Sequence, residues 1–223
     1  MPNHVNPNTG KPVISVTTLI GLFGNKDGLL KWAARMGQDF DYLRWEGADL
    51  GSYVHKRIEA HLTNTPEPGL VNKAGRKVIC QDQVAACWRA YTQWYTSVYQ
   101  GIARIETEAS IMHPSGRYAG TADLLLTLKD GRLVLGDFKT SNDYGPSSKF
   151  TKEQTRQYQL QLGAYSELFR AAKNVSPDEG VIINLNKKTG THKLTTFTQA
   201  QLRAGYAAFE ALLNAHEAIQ ALQ

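Results

Sequence analysis

Apolar residues recur every three or four positions through roughly the first hundred residues and every second position after that, so the chain changes from helical to strand-like patterning. Val13 to Gly24 starts apolar, and Ser15-Val16-Thr17-Thr18 can cap a helix that begins near Thr17 or Thr18. Leu29, Leu30, Trp32 and Ala33 give the apolar side of a helix over Asp27 to Met36. A third helix is expected over Ala48 to Leu62, with His55 and Glu59 on it, and ends before the two prolines and one glycine of Thr63 to Gly69. Asp82 to Tyr99 reads as a fourth, rich in aromatics. All four tryptophans precede residue 95, which predicts that this part of the chain forms a helical layer. Strands are expected at 104–112, 117–128 and 132–139, a helix at 151–173, strands at 180–186 and 192–197 around the turn Asn186 to Gly190, and a last helix over Thr198 to Leu222. Thr198 followed by Gln201 resembles a capping box. With no internal repeat and no linker, the expectation is one α/β domain over residues 13–223 behind a flexible leader at 1–12. Residues 13–100 should be mainly helical, and 101–223 should hold the sheet and its helices.

The alternating stretch carries the candidate chemistry. Gly120-Thr121-Ala122-Asp123 runs into Leu124-Leu125-Leu126, and Lys129-Asp130-Gly131 turns the chain toward Gly136-Asp137-Phe138-Lys139. Asp137 and Lys139 are two apart and share a face of the sheet. Asp123 joins them only in one register. A two-residue turn at Asp130-Gly131 pairs Asp123 with Phe138 and sends the carboxylates to opposite faces. A three-residue loop, with Gly131 left-handed, pairs Asp123 with Asp137. Gly at the third loop position suits the second arrangement, which is the predicted one, with a strand bulge as the other route to it.

Carboxylates inside apolar runs are costly to bury unless something compensates their charge. Phosphodiester hydrolysis asks for such a pair, because a hard cation must polarise the phosphate and supply hydroxide. Mg²⁺ takes a few carboxylate oxygens plus water. The backbone carbonyl of Phe138 is placed as a further hard ligand, and Lys139 can position or activate the attacking water. On the next helix Gln154, Tyr158, Gln161 and Tyr165 lie at spacings of four, three and four, one face that suits a polar cleft. His55 is a candidate ligand that would admit Mn²⁺ as well as Mg²⁺, and Glu59 and Glu108 could extend the acidic set.

Composition adds a mild lean. The chain has 223 residues, 42% hydrophobic and 20% charged, with a net charge of +5 and a pI near 9.1. That fits a polyanionic partner as well as an ordinary basic surface. Two cysteines, Cys80 and Cys87, are too few for a disulfide scaffold or a four-cysteine iron–sulfur cluster. A reducing, cytoplasmic setting is therefore expected. No signal peptide is evident at the start, and no apolar run has the ~18–20 residues of a membrane span.

Gly120-Thr-Ala-Asp123, Asp137-Phe-Lys139 and Gln161-Leu-Gly-Ala-Tyr165 together resemble the PD-(D/E)xK nuclease superfamily, and in particular its RecB-type and phage exonuclease branch. Gly51-Ser-Tyr-Val-His55-Lys-Arg-Ile-Glu59 resembles the early helical motif of that branch. Val16-Thr-Thr with Leu30-Lys-Trp32 is similar to the N-terminal region of phage exonucleases and of the mitochondrial genome maintenance exonuclease. The resemblance implies a restriction-endonuclease-like core, a mixed sheet flanked by helices in αβββαβ order. It implies that Asp123, Asp137 and His55 bind metal, that Lys139 serves the water, and that Gln161 and Tyr165 support the site and the DNA backbone.

The expected function is a metal-dependent DNA exonuclease of phage recombination or repair, with a single-strand annealing protein as a candidate partner. The alternatives are a structure-specific or restriction-like endonuclease and a non-catalytic nucleic-acid-binding protein. Lys149, Lys152, Arg156 and Tyr158 are candidate DNA contacts, with Lys187 and Lys188 as further phosphate contacts or solvated charges. Trp32, Trp88 and Trp94 are candidate walls of a strand passage or ordinary core residues. Polarity, strand preference and oligomeric state are not specified by the sequence.

Overall fold

The computed structural model describes residues 4–6, 9–24, 27–71, 80–141 and 152–222. Among them run strand β1 (Ile14–Ser15) and helices α1 (Val16–Phe23), α2 (Asp27–Met36), α3 (Phe40–Leu62) and α4 (Gln81–Val98). Strands β2 (Ile102–Met112), β3 (Tyr118–Leu128) and β4 (Leu133–Ser141) follow, then α5 (Lys152–Lys173), β5 (Glu179–Asn186), β6 (His192–Thr198) and α6 (Gln199–Gln220). Local chemistry fixes several ends. The Ser15 hydroxyl accepts from the Thr18 amide at the start of α1, and Thr198 and Gln201 form the reciprocal capping box of α6. Helix α3 starts at Phe40, earlier than the expected Ala48, because Gly37 (φ +55°) turns the chain in a short 3₁₀ stretch directly before it.

The sheet is mixed. Strand β3 pairs antiparallel with β2 on one side; on the other side it pairs antiparallel with β4 and, at its start, parallel with β1. Strand β5 then adds parallel to β4, and β6 antiparallel to β5. The three strands of the hairpin region, helix α5 and strand β5 give the αβββαβ order after the N-terminal helices. The hairpin loop is the three-residue one: the Leu128 amide donates to Arg132 O, the Gly131 amide donates to Leu128 O, and Gly131 has φ +89°. No helix among the described residues is long and apolar enough to cross a membrane.

Alternating side chains feed two cores, one on each face of the sheet. Leu125, Leu135 and Ile182 pack with α1, α5 and α6 through Val16, Leu19, Leu162, Leu168, Leu202 and Phe209. Leu124, Leu126, Val134, Phe138 and Ile183 pack with α3 and α4 through Leu50, Val54, Ile58, Tyr91 and Trp94. The N-terminal helices therefore do not make one layer. Ile14 and Ser15 pair with Tyr118 and Ala119, and this short ladder carries α1 across to the α5 face.

Helices α5 and α6 touch backbone to backbone. A Cβ on Gly163 would press on Tyr206 N and lie 2.6 Å from Leu202 O, and one on Gly205 would press on Gln159 O. Gly163→Ala gains up to ~1 kcal/mol of helix propensity, but prying two helix backbones apart costs about 1–3 kcal/mol or more. The expected result is a net loss of stability, read as a lower urea midpoint; an unchanged or higher midpoint would contradict the close crossing.

Candidate active site

The cleft opens where one side of β3 changes partner. Strand β4 pairs with β3 from Thr127↔Leu133 as far as Leu124↔Gly136, and β1 pairs with it at Tyr118 and Ala119. Between them, residues 120–123 have no strand neighbour on that side among the described residues. In a continued ladder the Phe138 amide would donate to the Ala122 carbonyl. It donates instead to Asp123 Oδ2 at 2.8 Å. The same oxygen lies 3.3 Å from His55 Nδ1, so a helix of the opposite layer reaches the cleft through the opening.

Strand β2 supplies the next carboxylate. Its register with β3 sets Glu108 opposite Asp123, and Glu108 has φ +47°, a left-handed backbone inside a strand. Ligand atoms of His55, Glu108 and Asp123 lie within 4.8 Å of one another. One imidazole and two carboxylates suit a hard divalent cation of the Mg²⁺ or Mn²⁺ kind. Asp137, 2% exposed, stands across the opening. Its Oδ1 accepts from Gln161 Nε2 at 2.5 Å. Its Oδ2 accepts no well-angled hydrogen bond and has the Lys139 ammonium at 2.7 Å as its ion-pair partner.

Helix α5 holds this arrangement from above. Gln161 also donates toward Tyr165 Oη at 3.4 Å. The Tyr165 ring fills the space over Gly120, where an added Cβ would meet its Cε1 at 2.6 Å and Val16 Cγ2 at 3.2 Å. The glycine of the Gly-Thr-Ala-Asp run is thus the seat of the tyrosine. The Tyr158 ring lies 5.6 Å from the Lys139 ammonium, a cation–π contact that aims the lysine into the cleft.

Electrostatics separates the two aspartates. Burial alone would raise both. For Asp123, His55, Lys139 and the Phe138 amide outweigh burial and hold the carboxyl below its usual range. For Asp137, burial wins over Lys139 and the carboxyl is raised, with the Asp123 charge adding to the rise. Burial would lower His55, yet Asp123, joined by Asp137, carries it up to about 9. Burial and the Asp123 charge push Glu108 up to about 7. Lys139 is raised too, because the carboxylates beside it overcome its burial. The metal-free site therefore holds protons on His55 and Lys139 at neutral pH.

The cleft has a volume of about 470 Å³ and brings together His55, Glu108, Asp123, Asp137, Lys139, Gln161 and Tyr165. Phe138 turns its side chain into the opposite core, edge-on to Trp94 at 5.3 Å, so only its backbone is near the carboxylates. Glu59 lines a neighbouring cavity of about 370 Å³ that shares His55 and Glu108 with the cleft. Lys152 and Arg156 are exposed on the first turns of α5; Lys149 and the Trp32 side chain lie outside the described residues. Trp94 is buried in the core of the α3–α4 face, and half-buried Trp88 packs against that core. Sequence reasoning missed Ser15, Thr17, Thr18 and Thr121, whose side chains also line the cleft. The Ser-Val-Thr-Thr string was legible as a helix cap, but only the β1–β3 pairing places it at the carboxylates.

The family model of the PD-(D/E)XK nuclease superfamily matches residues 29–223. Among solved structures, a Eubacterium rectale protein assigned as an exonuclease aligns at 15% identity over 76% of this chain and 68% of its own, with a TM-score of 0.51. A phage-related exonuclease from Haemophilus somnus aligns at 12% identity over 95% of this chain and 96% of its own, with a TM-score of 0.35. LHK-Exo in complex with dAMP aligns at 17% identity over 76% of this chain and 84% of its own, with a TM-score of 0.35. No curated protein sequence matches the chain.

Cation binding by this set must expel protons, since ligating imidazole and carboxylate are deprotonated. With His55 near 9 and Glu108 near 7, Mn²⁺ binding at pH 7.5 is expected to release at least one proton. The apparent affinity should rise about tenfold per pH unit between pH 7 and 9, and more steeply below pH 7, where both groups are protonated. Titration calorimetry in two buffers of different ionisation enthalpy reads the proton count; zero release with a flat pH dependence would remove His55 and Glu108 from the ligand set.

Proposed function

The chain belongs to the PD-(D/E)XK nuclease superfamily, and from that premise we propose that it is a divalent-metal-dependent DNA exonuclease whose catalytic centre is the cleft between β3, β4 and α5. The observation that carries this reading is the convergence of Asp123, Asp137, Lys139 and His55, from two strands and a helix of the opposite layer, on one opening in the sheet. His55, Glu108 and Asp123, with Asp137 and the Phe138 carbonyl, would hold Mg²⁺ or Mn²⁺. Bound there, the cation would polarise the scissile phosphate and ease formation of hydroxide from water.

The protein's own groups do the rest. Lys139, kept as an ammonium by Asp137, offsets the negative charge that builds on the phosphate oxygens and orients the attacking water. Gln161 fixes the rotation of the Asp137 carboxylate, leaving Oδ2 toward the lysine. Tyr165 locks Gly120 and thereby the strand that carries Asp123. Lys152, Arg156 and Tyr158, on the α5 end nearest the cleft, are proposed to contact the DNA backbone. Residues 13–223 act as one nuclease domain. Action at strand ends is supported by the Gln161…Tyr165 pair of RecB-type enzymes and by the exonuclease assignment of the Eubacterium rectale protein. A role in phage recombination, in a bacterial cytoplasm and beside a single-strand annealing protein, follows from the same resemblance.

The test is digestion of end-labelled linear DNA, single- and double-stranded, beside a closed circle, with Mg²⁺, Mn²⁺ or EDTA. Linear DNA alone should be degraded, only with metal, and Lys139→Ala or Asp123→Ala should slow the reaction by about 100- to 1,000-fold or more. Cutting of the circle would move the reading to an endonuclease of the same superfamily. Full activity in both variants would remove the catalytic assignment.

A further inference from the structure

Helix α3 runs unbroken from Phe40 to Leu62, and its outer face leads away from the cleft. Trp45, Ser52, Lys56 and Glu59 follow one another at intervals of seven, four and three, so they share that face. Ser52, Lys56 and Glu59 line the cavity of about 370 Å³ that meets the cleft at His55 and Glu108. Trp45 is 61% exposed and Tyr42, one turn earlier, is 50% exposed. Trp94, by contrast, is buried in the core, and Trp88 is half-buried against it. The Trp45 and Tyr42 rings stand one helical turn apart on α3 with faces open to solvent, where a flat partner could stack.

We propose that Trp45, with Tyr42 beside it, is a base-stacking subsite for an unpaired DNA strand that runs from the cleft along the outer face of α3. The inference rests on the nuclease reading and names its substrate as single-stranded at that point. Ten residues at about 1.5 Å rise put Trp45 about 15 Å from His55 along the helix axis, roughly four nucleotides at a stacked spacing of ~3.4 Å. The charge on this face excludes a track held mainly by phosphate contacts. Lys56 shares it with Asp41, Asp49 and Glu59, one ammonium to three carboxylates, which disfavours one phosphate backbone as well as two, so a strand there has to be held by its bases. Stacking on an aromatic ring needs only the face of a base, which a duplex hides and a single strand offers.

The experiment measures binding of a fluorescein-labelled eight-nucleotide oligothymidylate in EDTA by anisotropy, for the full chain and for Trp45→Ala and Trp45→Phe, beside a blunt duplex. Digestion of linear DNA by the unaltered protein in Mg²⁺ is run in parallel, and circular dichroism reports whether each variant is folded. Trp45→Ala should weaken single-strand binding roughly 5- to 100-fold, Trp45→Phe should keep most of it, and duplex binding should change less than either. Unchanged single-strand affinity in Trp45→Ala, with the parent protein still degrading DNA, overturns the stacking subsite and leaves the nuclease reading standing. An equal loss for the duplex overturns the preference for unpaired bases. Sedimentation showing a dimer that Trp45→Ala dissociates assigns the face to a second copy of the chain instead. A parent protein that neither binds nor cuts DNA overturns both readings.

Discussion

The Phe138 amide donates to the Asp123 carboxylate rather than to a strand carbonyl, and the parting of β3 and β4 turns on that bond. A buried amide must find an acceptor. By meeting that demand with a side chain, the chain ends a ladder without orphaning its last donor. The opening that results is what admits His55 from the α3 layer, aims Asp137 and Lys139 inward, and leaves Gly120 free to seat Tyr165. One carboxylate oxygen thus serves as both backbone acceptor and partner of the histidine. Its ionisation is stabilised from both sides, while Asp137, with burial dominant, is pushed the other way.

Rigidity behind the opening comes from small residues rather than from large ones. Gly163 and Gly205 let α5 and α6 meet backbone to backbone, and Gly120 lets the α5 tyrosine lie on β3. The helix carrying Gln161 is therefore held from two directions, and the hydrogen bond from Gln161 to Asp137 inherits that precision. A loosely packed α5 would leave the same residues present with their geometry undefined.

Much of this was legible in the sequence, for physical reasons that differ by residue. The hairpin register could be read because Gly131 sits where a three-residue loop needs a left-handed residue, and a slip of one position would have put the two aspartates on opposite faces. The polar stripe on α5 could be read because helical spacing alone puts Gln161 and Tyr165 on one side. What could not be read depends on contacts distant in sequence. The early start of α3 follows from a turn at Gly37 that no periodicity announces. The transfer of α1 to the α5 face rests on a two-residue parallel ladder too short to leave a pattern. The exposure of Trp45 likewise depends on which helix face meets the sheet.

Glu108 carries a consequence for the evolution of the chain. An L-residue in the left-handed region costs roughly 1–2 kcal/mol that glycine would not incur, and Glu108 incurs it in the middle of β2 at φ +47°. Burial, with the Asp123 charge beside it, also pushes its carboxyl up to about 7. Selection for a sturdier fold alone would replace this residue. On its proposed role as a cation ligand, position 108 is where activity and thermostability pull in opposite directions, and a lineage released from the need to cut DNA would be expected to lose its glutamate there early.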